Sequence, residues 1–175
     1  MKKNLIRISI LIIIAFIGIN YFKGNDEPSY GLVVNGKTID VIDMHLHTGT
    51  WDALTEPYKE RYSERVPKPF KFLMSSLLGN GLTSEGILKQ MDNAGIRRAG
   101  IFAVYSPDTT GNASNEFLNQ QIKNHPERMF GFFSIRTDYW NINKDKELKK
   151  LENDLLKFKS FGIKLAHAHQ QMRLD

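Results

Sequence analysis

Short apolar segments alternate with amphipathic helical segments through most of this chain, and that alternation limits the fold more than any other feature. Apolar strands are predicted to begin near Thr38, Ala99, Met129 and Ile163. Strands that are apolar on both faces and separated by helices are typical of a parallel sheet with crossover connections. The sequence therefore predicts an α/β fold with four strand–helix units.

The predicted helices have recognisable start and stop signals. The first begins near Thr83 and ends at Gly95, the second begins at Ser114, and the third covers about residues 145–161 before Gly162. Ser and Thr side chains cap helix N-termini, and Gly commonly follows a helix C-terminus. Each helix is therefore predicted to lead into the apolar strand that follows it.

Two histidines stand at the end of the first of these strands. Asp43-Met44-His45-Leu46-His47 follows an apolar run and is followed by Thr48-Gly49-Thr50. Side chains alternate on a strand, so His45 and His47 are predicted to share one face, together with Asp43. Neutral imidazole is a preferred ligand of zinc and related ions. The pair therefore predicts a divalent metal site, with zinc as the expected ion; the alternative is two histidines that hydrogen-bond to loop backbone.

The segment 48–82 is too long for a simple connection, and we expect it to cover the site. Basic side chains in this segment favour a small-molecule substrate that is carboxylated or aromatic, because Arg matches carboxylates in bidentate fashion. The alternative is a solvated helical lid with an apolar underside. The basic and aromatic residues concerned are Trp51, Tyr58, Arg61, Tyr62, Arg65, Lys68, Phe70, Lys71 and Phe72.

The N-terminus has the pattern of an export signal. Lys2, Lys3 and Arg7 precede a short apolar run that ends before Asn20, as in a secretory signal or a signal anchor. We predict a signal anchor or signal peptide over 1–23, a linker over 24–31 and a barrel domain over 32–175. The protein is expected to be exported, either membrane-anchored facing outside the cytoplasm or secreted into the periplasm or medium. A buried core helix is the alternative for the apolar run.

Charge and cysteine content exclude several classes. The formal net charge is +5, but Lys2, Lys3, Arg7 and Lys23 all precede the predicted domain, which is left nearly neutral. There is no basic stripe and no nucleic-acid-binding motif, so nucleic acid is not expected as a partner. The sequence contains no Cys, so a metal site must use His, Asp, Glu or modified Lys.

From residue 39 onward the sequence resembles the amidohydrolase superfamily, specifically the amidohydrolase-related group that includes carboxymuconate-semialdehyde-type decarboxylases. The resemblance implies a TIM-type (β/α)₈ barrel, of which this chain holds the first four β/α units, the N-terminal half. A closed barrel needs about 250 residues. We expect a truncated barrel domain; the alternative is a half-barrel that covers its edges as a homo-oligomer. The segments that carry the resemblance are Asp43-x-His45-x-His47, Asn93-Ala-Gly-Ile96, His125-Pro-Glu-Arg128 with Phe130-Gly-Phe132, and Phe161-Gly-Ile-Lys164-Leu165.

The same resemblance implies that His45 and His47 bind the metal, while the family's other ligands and its catalytic aspartate come from later strands. The implied activity is that of a metal-dependent hydrolase that activates a metal-bound water against an amide, ester or lactone carbonyl, or of a related decarboxylase. On the fourth strand the family often has Lys-Leu-His-Pro, where this chain has Lys164-Leu-Ala-His167-Ala-His169. Lys164, His167 and His169 are the candidate substrate-binding residues. In two-metal relatives a lysine at this strand end is carboxylated, which is a second role to consider for Lys164.

Two other functions fit parts of the sequence. Phosphoesterases of the polymerase-and-histidinol-phosphatase kind also open with Asp-x-His-x-His-Thr, although they tend to continue with Ser-Asp-Gly where this chain has Gly49-Thr50-Trp51-Asp52. The other is a catalytically silent, membrane-tethered half-barrel that binds a partner through its open sheet edge.

We predict that membrane association depends on residues 1–22, because an apolar run behind basic residues directs insertion with the basic end inside. In cells that express a tagged chain, the full-length protein should fractionate with membranes, whereas a variant lacking residues 1–22 should not. Recovery of the intact full-length chain as soluble cytoplasmic protein would contradict the prediction.

Overall fold

The computed structural model describes residues 29–138 and 140–165. The predicted signal segment 1–23 and the first part of the predicted linker lie outside these residues. The last residues of that linker contact the folded domain: the Gly31 amide donates to the Gly95 carbonyl at 2.8 Å, and the Arg128 guanidinium lies 4.6 Å from the Tyr30 ring centroid. Within the described residues, no helix has the length and apolarity needed to cross a membrane.

An initial hairpin is followed by parallel strands that are separated by helices, with a second hairpin after the second parallel strand. The elements are β1 (Leu32–Val34), β2 (Lys37–Ile39), β3 (Ile42–His47), α1 (Glu56–Ser63), a 3₁₀ helix (Lys68–Leu73), α2 (Met74–Gly81), α3 (Ser84–Asn93), β4 (Arg98–Phe102), β5 (Val104–Ser106), β6 (Gly111–Ala113), α4 (Asn115–Ile122), β7 (Met129–Ser134), α5 (Trp140–Lys157) and β8 (Gly162–Lys164).

The central sheet has four parallel strands in the order β3-β4-β7-β8. This confirms the predicted α/β fold with a parallel sheet. Within this sheet, each strand lies beside the strand of the same sheet that follows it in the chain. The order has no reversal of the kind that marks doubly wound sheets. An unreversed order is the arrangement of strands in a (β/α) barrel, so the sheet is consistent with part of one.

The predicted first strand, beginning near Thr38, is divided in the structure. β2 pairs antiparallel with β1, and the parallel strand β3 begins only at Ile42. The turn between β1 and β2 is Asn35-Gly36, the favoured dipeptide of a two-residue hairpin turn: Asn35 has φ 51° and Gly36 has φ 75°, the positive angles that a type I′ turn requires. The hairpin therefore precedes the sheet instead of extending its first strand.

The predicted helix caps are confirmed. The Thr83 hydroxyl accepts a hydrogen bond from the Gly86 amide, the Ser114 hydroxyl accepts one from the Phe117 amide, and Gly95 has φ 67°. The third helix, α5, begins earlier than predicted and also ends earlier, at Lys157. The first turn of α5 gives no clear helical pattern of apolar residues. Its Ile142 is 82% exposed and does not mark a buried side of the helix.

The second predicted strand, which begins near Ala99, is also divided, because its apolar run continues through residues 104–105 into a separate strand. β4 ends at Phe102, and β5 turns away to pair antiparallel with β6. A continuous apolar run shows that a segment is buried but not which partner it pairs with. The β5–β6 hairpin lies against the loop after β3, since the amide of Asn112 donates to the carbonyl of Ala53 at 3.1 Å.

The main core lies between one face of the sheet and the helices. Ala99, Ile101 and Phe133 are fully buried there, against Met91 and Leu118. The opposite face has a row of phenylalanines, with Phe102 stacked on Phe132 at a centroid distance of 4.6 Å and Phe130 near Phe161 at 4.9 Å. We call this second surface the inner face.

We predict that Gly131→Ala destabilises the fold. A Cβ at Gly131 would lie 2.8 Å from Cδ1 of Ile122 and 3.2 Å from Cδ2 of Leu118, and overpacking of this kind costs about 1–3 kcal/mol. The matched control is Gly79→Ala within α2, where the nearest atom would be at 3.8 Å; there Ala should be neutral or stabilising. Thermal unfolding of both variants is the measurement, and equal or higher stability of Gly131→Ala would contradict the packing described.

Candidate metal centre

The histidine strand is irregular where it reaches the site. β3 pairs with β4 so that Asp43 lies beside Ala99 and Leu46 beside Ile101. Three steps along β3 thus match two along β4, which places one extra residue in β3, as in a β-bulge. Because paired residues project to the same side, Asp43 and Leu46 face the helix-packed core. The prediction that Asp43 shares a face with the histidines is therefore wrong.

Asp43 supports the strand end in another way. Its Oδ1 accepts a hydrogen bond from the backbone amide of His45 at 2.8 Å. Because of the bulge, the His45 amide is not matched in the strand register, and the Asp43 carboxylate accepts its hydrogen bond instead. Asp43 therefore fixes the backbone from which the first imidazole projects.

The two imidazoles converge on the inner face. Nε2 of His45 lies 3.1 Å from Nε2 of His47, and the ring centroids are 5.0 Å apart. Both rings contact Phe102, at centroid distances of 4.9 Å and 6.0 Å. Two nitrogens bound at about 2.0–2.1 Å to one tetrahedral ion stand about 3.3 Å apart. The observed separation fits two ligands of a single ion with little movement.

Lys164 joins the histidines from β8, at the other edge of the described sheet. Its Nζ lies 2.6 Å from Nε2 of His45 and 3.4 Å from Nε2 of His47, and 4.5 Å from the Phe102 ring centroid. Burial of the amine lowers the pKa of Lys164 below its ordinary value, because a less hydrated site disfavours the charged form. The structure thus brings three of the predicted site residues to one point.

These three residues provide only part of the ligands that a metal ion needs. No group of three or more His, Cys, Asp or Glu residues suited to a metal occurs within residues 29–138 and 140–165. Zinc in enzymes normally has three protein ligands. Two imidazoles and a neutral or carboxylated lysine are donors of the right chemistry, so the residues fit such an ion. The other predicted substrate-binding residues, His167 and His169, lie outside the described part of the chain.

A cavity of about 390 Å³ opens beside His45, His47 and Lys164. Volumes of about 300–1,000 Å³ are typical of small-molecule sites. Apart from the site residues, much of its wall is apolar. The apolar lining residues are Ala53, Leu54, Leu78, Leu82, Val104, Leu165 and Ala113.

The loop 48–82 contributes much of this wall, as a loop that covers the site should. Of its predicted aromatic residues, Tyr58 and Tyr62 line the cavity. The predicted cations of the loop do not line the cavity. Arg61, Arg65, Lys68 and Lys71 are exposed to solvent and are absent from the described lining. The basic side chains of the loop therefore do not form the predicted carboxylate pocket.

The two lining tyrosines form a pair. The Tyr58 hydroxyl donates to the Tyr62 hydroxyl oxygen at 3.2 Å, and the ring centroids are 4.8 Å apart. Burial, followed by this hydrogen bond, raises the pKa of Tyr58 to about 12. Tyr58 therefore keeps its proton at neutral pH.

The β5–β6 hairpin supplies a part of the wall that the sequence patterns did not predict. Val104, Thr110, Asn112 and Ala113 line the cavity from this side. The available signal was Pro107-Asp108-Thr-Thr-Gly111, a turn composition between two short segments. Gly111 adopts φ 121° there, and a Cβ on it would lie 2.1 Å from the Ala53 carbonyl oxygen. The glycine allows the hairpin to approach the loop closely.

Comparison with known proteins adds little to this geometry. No protein-family model matches the chain, and no curated protein matches it. Among solved structures, it is similar to an uncharacterised TIM-barrel protein from Bordetella bronchiseptica, with a TM-score of 0.49 and 17% identity over 73% of this chain. The match spans 43% of the length of that protein. So distant a likeness supports no statement about activity.

We predict that Lys164 in the metal-free folded protein titrates below the ordinary lysine value of 10.5. Burial disfavours the ammonium form, so the folded state should lose this proton at lower pH than the unfolded chain does. The ¹³C resonance of reductively methylated Lys164, identified by its loss in Lys164→Arg, gives the midpoint in buffer and in urea. A midpoint in buffer that equals or exceeds the one in urea would contradict the predicted desolvation.

Proposed function

We propose that this protein is a metal-dependent hydrolase of the amidohydrolase-related kind, which cleaves an amide, ester or lactone, or carries out the related decarboxylation. One observation carries the proposal: the Nε2 atoms of His45 and His47 converge to 3.1 Å beside Lys164 and a cavity large enough for a small molecule.

A divalent ion, with zinc expected, would supply Lewis-acid activation of water and of the scissile carbonyl when bound. The residues of this chain have their own parts. His45 and His47 would hold the ion, and Phe102, which contacts both rings, would limit their rotation. Asp43 fixes the strand end through the His45 amide. Lys164 donates to an oxygen of the substrate as an ammonium, or serves as a ligand once deprotonated or carboxylated.

The remaining ligands and the group that moves the proton are proposed to lie outside the described residues. His167 and His169, which also lie outside them, are proposed as substrate-binding residues. Nothing within the described residues replaces the later-strand histidines and aspartate that the family resemblance implies. Export through the apolar N-terminal segment, with the site facing outside the cytoplasm, is likewise part of the proposal and rests on the sequence pattern alone.

We predict weak, single-site binding of Zn²⁺ by the purified full chain, since two imidazoles alone hold zinc loosely. His45→Ala and His47→Ala should each weaken this binding by at least about tenfold, equal to about 1.4 kcal/mol. The matched control is His125→Ala, because His125 follows α4 and is not among the described residues that line the cavity. Isothermal titration calorimetry is the measurement. Zinc binding that survives both site substitutions would exclude the histidine pair as the metal ligands.

A further inference from the structure

We propose that the cavity accepts a substrate whose end facing the loop 48–82 is uncharged and apolar, an aryl or branched alkyl group. Any carboxylate of that substrate is confined to the end beside Lys164. This inference rests on the proposed hydrolytic site, because it names the substrate class of that site. It also replaces the expectation, drawn from the basic loop, of a carboxylate bound by that loop.

The cavity has two chemically different ends. The sheet contributes His45, His47 and Lys164, where the amine lies 2.6 Å from one imidazole. The loop and the β5–β6 hairpin contribute mainly apolar side chains such as Leu54 and Leu78. Their other lining side chains are uncharged, namely Thr48, Thr50, Tyr58, Tyr62, Thr110 and Asn112. A substrate that places its reacting carbonyl at the histidines therefore extends its other end onto an apolar surface.

The charges around the cavity are distributed in the same way. Of the described lining residues, Lys164 is the one Lys, and none is Arg, Asp or Glu. Four of the loop cations, Arg61, Arg65, Lys68 and Lys71, face solvent instead. The fifth, Lys59, is paired with Glu56 and is absent from the described lining. A carboxylate on the loop side would lose water without gaining a cation, which is unfavourable.

The tyrosine pair does not change this conclusion. The Tyr58 hydroxyl donates to Tyr62, so that proton is already used. The Tyr62 proton is left for a neutral acceptor such as an ether or carbonyl oxygen. One phenol donor does not neutralise a buried carboxylate, whereas it satisfies an uncharged oxygen fully.

The test compares two probes that differ only at the end opposite the shared carboxylate: 4-methylphenylacetate and 4-carboxyphenylacetate. Both offer Lys164 an acetate group, and only the second presents a charge to the apolar wall. Ligand-observed NMR titration of the full chain at neutral pH, with EDTA present, should show the methyl probe binding at least about tenfold more tightly. Equal binding, tighter binding of the dicarboxylate, or no binding of either probe would overturn the inference.

The second part of the test introduces a charge into the apolar wall. Leu54→Arg gives a distal carboxylate a partner, so the preference for the methyl probe should fall to about twofold or less or reverse. The control is Leu77→Arg, the same change at a residue that is 63% exposed and absent from the described lining of this cavity. Leu54→Phe keeps the wall apolar and should keep the preference. A preference that responds to Leu77→Arg but not to Leu54→Arg would also overturn the inference.

Because EDTA removes metal, these titrations report the cavity and not the ion. If His45→Ala and His47→Ala leave zinc binding intact while the probes still discriminate, the hydrolase proposal fails and the apolar wall stands. If zinc binding is lost in those variants but the probes bind equally, the wall has been assigned wrongly and the metal site stands.

Discussion

The pairing of β3 with β4 is the constraint on which the site depends. The residue pairs Asp43–Ala99 and His47–Phe102 are separated by four steps on β3 and three on β4. The extra residue turns the strand end, so that both imidazoles project over Phe102 while Leu46 still packs toward the core. A regular strand in the Asp43–Ala99 register would place His47 on the side facing the helices, because one residue of slip exchanges the two faces.

The inner face gives the site a rigid floor. Phe102 contacts both imidazoles, stacks on Phe132 and lies under the Lys164 amine. Gly100 makes room for this row, since a Cβ there would lie 2.8 Å from Cε2 of Phe132. Each aromatic pair contributes about 0.5–1.5 kcal/mol beyond area burial. The same packing that orders the phenylalanines therefore orders the three nitrogens above them.

Much of the fold was predictable because its signals are local. The caps at Thr83 and Ser114 and the Asn35-Gly36 turn depend on residues within a few positions of one another, and the structure has all of them. The apolar runs likewise identified the four parallel strands, with errors at their ends. Burial makes a segment apolar whether its partner is parallel or antiparallel, which is why residues 104–105 were assigned to the wrong strand.

The site was predictable only in part, for a different reason. Strand alternation indicated that His45 and His47 would be neighbours, but the bulge that displaces Asp43 depends on pairing with a strand more than fifty residues away. The direction in which the loop cations point also depends on contacts with residues distant in sequence. Arg61 lies on the same helix as Tyr58 and Tyr62, and packing against the cavity decides which of them face it.

The most direct test of a shared metal ion is ¹⁵N NMR of the imidazole rings of the full chain during titration with Zn²⁺. If His45 and His47 bind one ion, their Nε2 resonances shift together and saturate at one equivalent, while the resonances of His125 do not move. If only one of the two rings responds, or if both remain unchanged at concentrations of zinc that the chain binds, the two histidines do not form a metal site.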